Sequence, residues 1–193
     1  MNSSTEAKRL ALDALAVPPP VNLFAAPIEY LFAEHFRHRT LCNLLDELAV
    51  EGQSDQEDVT VVVAFLETDF ALHVRDEEED FYPLLRKRMK PEDGIADLLA
   101  QLSEDHLSEQ SAATEIVDVL RQLPVVAGHI ACSRKASDLI ERFTKHERRH
   151  LTCENAIVLP LARARLSARD MLDLGHSMAR RRGIDFPETE NAL

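Results

Sequence analysis

Two stretches, HVRDEEEDFYP at 73–83 and HLTCENAIVLP at 150–160, share one pattern, H-x3-E-x5-P. A separation of four residues sets a histidine and a glutamate on the same face of a helix, one turn apart. His73 with Glu77, and His150 with Glu154, can therefore each offer an imidazole and a carboxylate to one axial space. Around the first pair, Asp76, Glu78, Glu79 and Asp80 form an acidic run that reads mostly as solvated surface.

Two further histidines stand upstream of these elements. His35 lies in AEHFRHRTL and His106 in SEDHLSEQS, each behind an acidic residue and followed 38 and 44 residues later by the H-x3-E element. The chain thus reads as two helical hairpins related by a pseudo-twofold, the second with the longer internal link.

The flanking signals place four long helices. The first runs from 27 to about 49, with Pro27 suited to a first turn and apolar positions at Ile28, Leu31, Phe32, Phe36, Leu41, Leu44, Leu45 and Leu48. Residues 54–57, SDQE, read as a capping box opening a second helix that continues through 59–86 despite the β-branched VTVVV. A third helix begins at Pro91 and reaches about 120, and a link at 123–133 carries Pro124 and Gly128. The fourth spans 134–162, with Phe143, Leu151 and Ile157 among its apolar positions. A last helix over 168–182 has a Ser167/Asp170 box and a stop at Gly183, and is expected to cover an edge of the bundle, with a homodimer as the other use of its apolar residues. Before the bundle, 5–16 can form a short helix that VPPPVN at 17–22 breaks. The expected fold is all-α: an antiparallel up-down four-helix bundle over 25–165, with an N-terminal extension at 1–24 and a C-terminal helix and tail at 166–193.

Within such a bundle, His35 and His73 can serve one metal, His106 and His150 a second, and Glu77 and Glu154 can lie between the two. Adjacent cations in a dry interior need anions between them, because uncompensated buried charge costs several kcal/mol. Imidazole with carboxylate suits iron or manganese, and zinc also accepts these residue types. His38 and His146 fall outside the constellation, as solvated or supporting residues. Cys42, Cys132 and Cys153 form no close pairs, so no disulfide framework is expected.

Composition limits the partners. With 22 Lys and Arg against 34 Asp and Glu, the net charge of -12 disfavours a nucleic-acid partner. No apolar run is long enough to cross a bilayer and MNSSTEAKRL lacks a signal segment, so a cytoplasmic protein with no membrane partner is expected.

The elements EHF at 34–36, HVRDEEEDFYPLL at 73–85, EDH at 104–106 and HLTCENAIVLPLA at 150–162 resemble the hemerythrin-like, or HHE cation-binding, domains. The resemblance covers about 25–165 and implies a bundle around two non-haem irons with a bridging oxo or hydroxo group. It implies His35, His73, His106 and His150 as terminal ligands and Glu77 and Glu154 as bridges. Two departures stand out. Oxygen-carrying members have a fifth histidine one turn after the first in the third helix, where this chain has Gln110, with Glu109 the nearest carboxylate. They also use an aspartate five residues after its histidine where Glu154 follows His150 by four. Simple oxygen carriage therefore does not transfer. The expected function is binding or sensing of a small diatomic such as O2 or NO, in a pocket walled by Phe32, Phe70 and Phe143. The competing readings are an oxidoreductase acting on O2 or peroxide, with His146 or His38 as proton donor, and an iron-handling protein.

Overall fold

In the computed structural model, residues 3–187 are described; 1–2 and 188–193, assigned above to the N-terminal extension and C-terminal tail, lie outside them. The bundle is built from α2 (Pro27–Glu51), the composite helix α3 (Gln56–Glu67), α4 (Asp69–Arg75) and α5 (Tyr82–Arg88), then α6 (Ala96–Gln122), and finally α7 (Arg134–Cys153) continued by α8 (Leu159–Arg165). α2 packs against α7, α7 against α6 and α6 against α3, and α3 and α4 touch α2, which closes the ring. Outside it lie α1 (Ser3–Ala16) and α9 (Ala168–Arg181).

Several boundaries differ from the sequence reading for identifiable reasons. The second helix is not uniform: it breaks at Thr68, whose hydroxyl donates to the Ala64 carbonyl, and passes through a π-turn at Asp76–Phe81. The fourth has a matching π-turn at Glu154–Val158. Pro91 opens only a short 3-10 turn, Pro91–Asp93, and the long helix begins at Ala96. The SDQE capping box does not form, because Ser54 sits in strand β1 (Gln53–Asp55) and Asp55 makes no side-chain cap. β1 pairs antiparallel with β3 (His129–Ala131), which also pairs with β2 (Val125–Val126), so the 123–133 link folds into a small three-stranded sheet beside the bundle. The Ser167/Asp170 box at α9 does form, and Gly183 follows with φ 66°.

The core is split along the bundle axis. One apolar cluster gathers Leu41, Leu45, Val62, Phe65, Phe70, Val74, Ile116, Leu120, Ile140 and Phe143, with Leu15 of α1 and Ile130 of β3. The other gathers Leu31, Phe81, Tyr82, Leu85, Leu99, Leu102, Val158 and Leu159, with Leu174 and Met178 of α9. Each bundle helix contributes to both, and between its two contributions stand buried polar residues: Glu34, His35 and His38; His73, Asp76 and Glu77; Asp105, His106 and Glu109; Glu147, His150 and Glu154. A polar layer of this kind is costly unless its charges are matched.

The layer overrides simple amphipathic patterning. Phe32 and Phe36, read above as core positions, are 49% and 63% exposed, and Ile157 is 44% exposed. Phe32 therefore does not wall the centre, whereas Phe70 and Phe143 are buried and pack on each other. Asp76, read as surface, is fully buried, because Arg181 and Arg182 at the end of α9 pair with it.

Candidate metal centre

Both H-x3-E elements end in the same backbone device. Glu77 is the second residue of one π-turn and Glu154 the first of the other, and the Tyr82 N–H donates to the Glu77 carbonyl as the Leu159 N–H donates to the Glu154 carbonyl. Pro83 and Pro160 come next. A proline lacks the N–H an α-helix needs and crowds the carbonyl four residues back, so a one-residue widening just before it relieves the conflict. The x5 in the repeated pattern is the sequence trace of this turn.

The six residues singled out from the sequence come together. His35, His73, Glu77 and Glu154 form one group of potential donor atoms within 4.8 Å of one another, and Glu77, His106, His150 and Glu154 form a second that shares both glutamates. All six are buried. His35 Nε2 lies 3.6 Å from Glu77 Oε1 and 3.3 Å from Glu154 Oε2, and His73 Nε2 is 3.5 Å from Glu77 Oε2. His106 Nε2 is 3.1 Å from Glu77 Oε2, and His150 Nε2 is 3.3 Å from Glu154 Oε2.

Metal ions fit this geometry. Nitrogen and oxygen donors about 2.0–2.2 Å from one ion lie roughly 3.0–3.5 Å from each other, close to the observed separations. Among the described residues, both oxygens of Glu77, Glu154 Oε2, His35 Nε2 and His150 Nε2 are buried without a hydrogen-bond partner. Such orphaned atoms are rare in folded proteins unless something they bind is accounted for. The charge balance points the same way. Burial lowers the affinity of His106 for a proton, yet Glu77 and Glu78 outweigh it and push the imidazole up to about 11. His150 is likewise lowered by burial but pushed up to about 9, chiefly by Glu154. Burial raises the Glu154 carboxyl, but the facing His150 and His35 hold it well below the usual carboxylate range. His73 falls well below its ordinary value through burial and the neighbouring His38 and His35. The layer is a cage that demands positive charge.

The outer ring nitrogens of His35 and His106 are held as well. His35 Nδ1 lies 2.9 Å from Asn155 Oδ1 and His106 Nδ1 is 2.7 Å from Glu78 Oε1. His150 Nδ1 faces Glu109 Oε2 at 3.5 Å. When Nδ1–H donates outward, Nε2 keeps its lone pair for the centre, the arrangement usual in metal sites. Glu109 thus faces the outer nitrogen of His150. His38 donates or accepts at Glu147, 2.7 Å away, and packs against Phe70, while His146 faces Asp105 and Glu109; neither belongs to the two shared groups. A smaller group of Glu34, His38 and His73 adjoins them.

Three contributors escaped the sequence reading. Glu78 and Asn155 occupy the same place in the repeat, directly after each glutamate, and that equivalence was the available signal. The third is Tyr82, whose buried hydroxyl donates to Glu154 Oε1 and whose ring stacks on His106 at 5.6 Å and 17°. Its equivalent in the second repeat is Leu159, which has no hydroxyl to offer Glu77. Glu77 therefore faces the centre with two free oxygens and Glu154 with one. Gln110, at the position of the absent fifth histidine, lines an open groove of about 380 Å³ with Phe70, Ala71 and Ala113.

Comparison with known proteins agrees with this geometry. The family described as hemerythrin HHE cation binding domain matches residues 26–162. An uncharacterised protein of Haemophilus influenzae is 27% identical over 167 residues, covering 82% of this chain and 91% of its own length. No described helix is long and apolar enough to cross a membrane.

Proposed function

The chain belongs to the hemerythrin HHE cation-binding family, and from that premise we propose that it holds two non-haem irons and takes up a small diatomic ligand such as O2 or NO. His35 and His73 bind one iron, His106 and His150 the other, and Glu77 and Glu154 lie between them. The observation that supports this most is the pair of donor groups sharing both glutamates. Iron bound there would supply a redox couple and a Lewis-acidic position for the diatomic. Four imidazoles and two carboxylates are fewer donors than two octahedral ions need, which leaves room for an exogenous ligand.

The protein's own groups define the rest. The two apolar clusters exclude water from either end of the polar layer. Asn155 and Glu78 orient His35 and His106, and Tyr82 holds a proton at Glu154 Oε1.

The test is iron analysis after anaerobic reconstitution, followed by optical spectra before and after O2 or NO. Two irons per chain and a new charge-transfer band that reverses on degassing are expected. A chain that retains no iron after reconstitution sinks the reading. The hydroxyl of Tyr82 favours a second reading, an oxidoreductase acting on O2 or peroxide, since it sets a proton donor beside the carboxylate that faces both metal positions. Sustained consumption of O2 or peroxide with a reductant, abolished in Tyr82→Phe, would select it over reversible binding.

A further inference from the structure

The pseudo-twofold that builds the centre is broken in what stands behind the histidines. Glu78 and Asn155 are equivalent in the repeat, each following the glutamate of its own helix and each reaching the histidine of another: Glu78 the Nδ1 of His106 at 2.7 Å, Asn155 the Nδ1 of His35 at 2.9 Å. One is a carboxylate and the other a neutral amide. The second histidine of each pair does not add a hydrogen bond of this kind. Neither His150 Nδ1 nor His73 Nδ1 has a hydrogen-bond partner among the described residues, although the Glu109 carboxylate stands 3.5 Å from the former. The outer nitrogen of His106 is thus hydrogen-bonded to a carboxylate, and at the His35/His73 position neither outer nitrogen is.

The difference has a chemical consequence. A hydrogen bond from Nδ1–H to a charged carboxylate is roughly twice as strong as one to a neutral amide, and it pushes electron density toward Nε2, making that nitrogen a stronger donor to a metal. Glu78 is itself fixed, because its other oxygen accepts from Ser103 Oγ at 3.1 Å and Ser103 Oγ accepts from Arg86. Asn155 has no second anchor, its Nδ2 being buried without a partner.

We propose that the two metal positions are graded: a divalent cation fills the His106/His150 position first and the His35/His73 position second, with Glu78 against Asn155 setting the order. This rests on the two-metal reading above. Glu78 and Asn155 act as positioning residues, through the histidines they hold.

The experiment follows the ring nitrogens of the four histidines by 15N NMR while metal-free full-length protein is titrated with Zn(II). At the first equivalent, the Nε2 signals of His106 and His150 should move to their bound positions while those of His35 and His73 stay; the second equivalent should move the latter. In the exchange variant Glu78→Asn/Asn155→Glu the order should reverse. In the milder Glu78→Gln, which serves if the exchange variant loses its helical circular dichroism, affinity at the first position should fall roughly 10–100-fold. A first equivalent shared among all four histidines overturns the grading and leaves the two-metal reading intact. So does an order unchanged in a folded exchange variant, or an affinity unchanged in Glu78→Gln. No shift at any of the four overturns both.

Discussion

Tyr82 shows how one side chain can make two related carboxylates behave differently. Its hydroxyl donates to Glu154 in a fully buried setting, and a hydrogen bond to a charged group contributes about 1.5–3 kcal/mol. Tyr82→Phe should therefore lower the stability of the metal-free protein by about that amount in urea unfolding, while leaving its helical content unchanged. His106 and His150 give a pH prediction of definite sign. Both are raised above their ordinary value of 6.5, to about 11 and about 9, so the stability they contribute as imidazolium is present below 6.5 and is lost as pH rises through about 9 for His150 and about 11 for His106. Metal-free protein should lose thermal stability over that interval. Because a metal needs the neutral rings, its uptake at neutral pH should release protons from both histidines, measured by calorimetry in buffers of different ionisation enthalpy. At this scale the six central residues were legible in the sequence, since H-x3-E is a local spacing that a helix converts directly into a shared face. Tyr82 and Asp76 were not. The role of Tyr82 depends on Glu154, 72 residues on, and the burial of Asp76 depends on Arg181, 105 residues on.

Among the elements, α9 is held at both ends. Ser167 and Asp170 cap its start, Asp170 also pairs with Arg88, and at its end Arg181 reaches Asp76, Glu79 and Asp80. In its middle, Gly175 passes so close to the 3-10 turn Val21–Ala25, ahead of α2, that an added Cβ would stand 1.9 Å from the carbonyl oxygen of Phe24. Gly175→Ala should accordingly cost about 1–3 kcal/mol by overpacking, which in a chain of this size lowers Tm by about 2–4 °C per kcal/mol. Differential scanning calorimetry reads this directly, and an unchanged Tm would mean that α9 rides loosely on the bundle. The long helices and their order were readable from apolar spacing, prolines and the α9 cap. The π-turns were not, since their only trace is the fixed distance from glutamate to proline. The small sheet was also missed, as its strands are only 2 or 3 residues long, too short for alternation to register.

For the whole molecule, the split core makes stability conditional on what occupies the polar layer. A ligand bound only by the folded state stabilises it by about 4 kcal/mol when present at a thousand times its Kd. Chelation should therefore lower Tm, and hydrogen exchange should quicken most at the amides around His35, Glu77, His106 and Glu154, less in the two apolar clusters. Equal protection with and without metal would mean that the layer holds itself together. The same sharing of carboxylates has a bearing on biosynthesis. One donor group draws on residues 35, 73, 77 and 154, the other on 77, 106, 150 and 154. Neither is complete in any growing chain that has not yet reached Glu154, so no nascent fragment carries a half-built but fully liganded position. Metallation then belongs to the finished bundle, and a chain stalled before its last long helix has no complete cage with which to sequester iron.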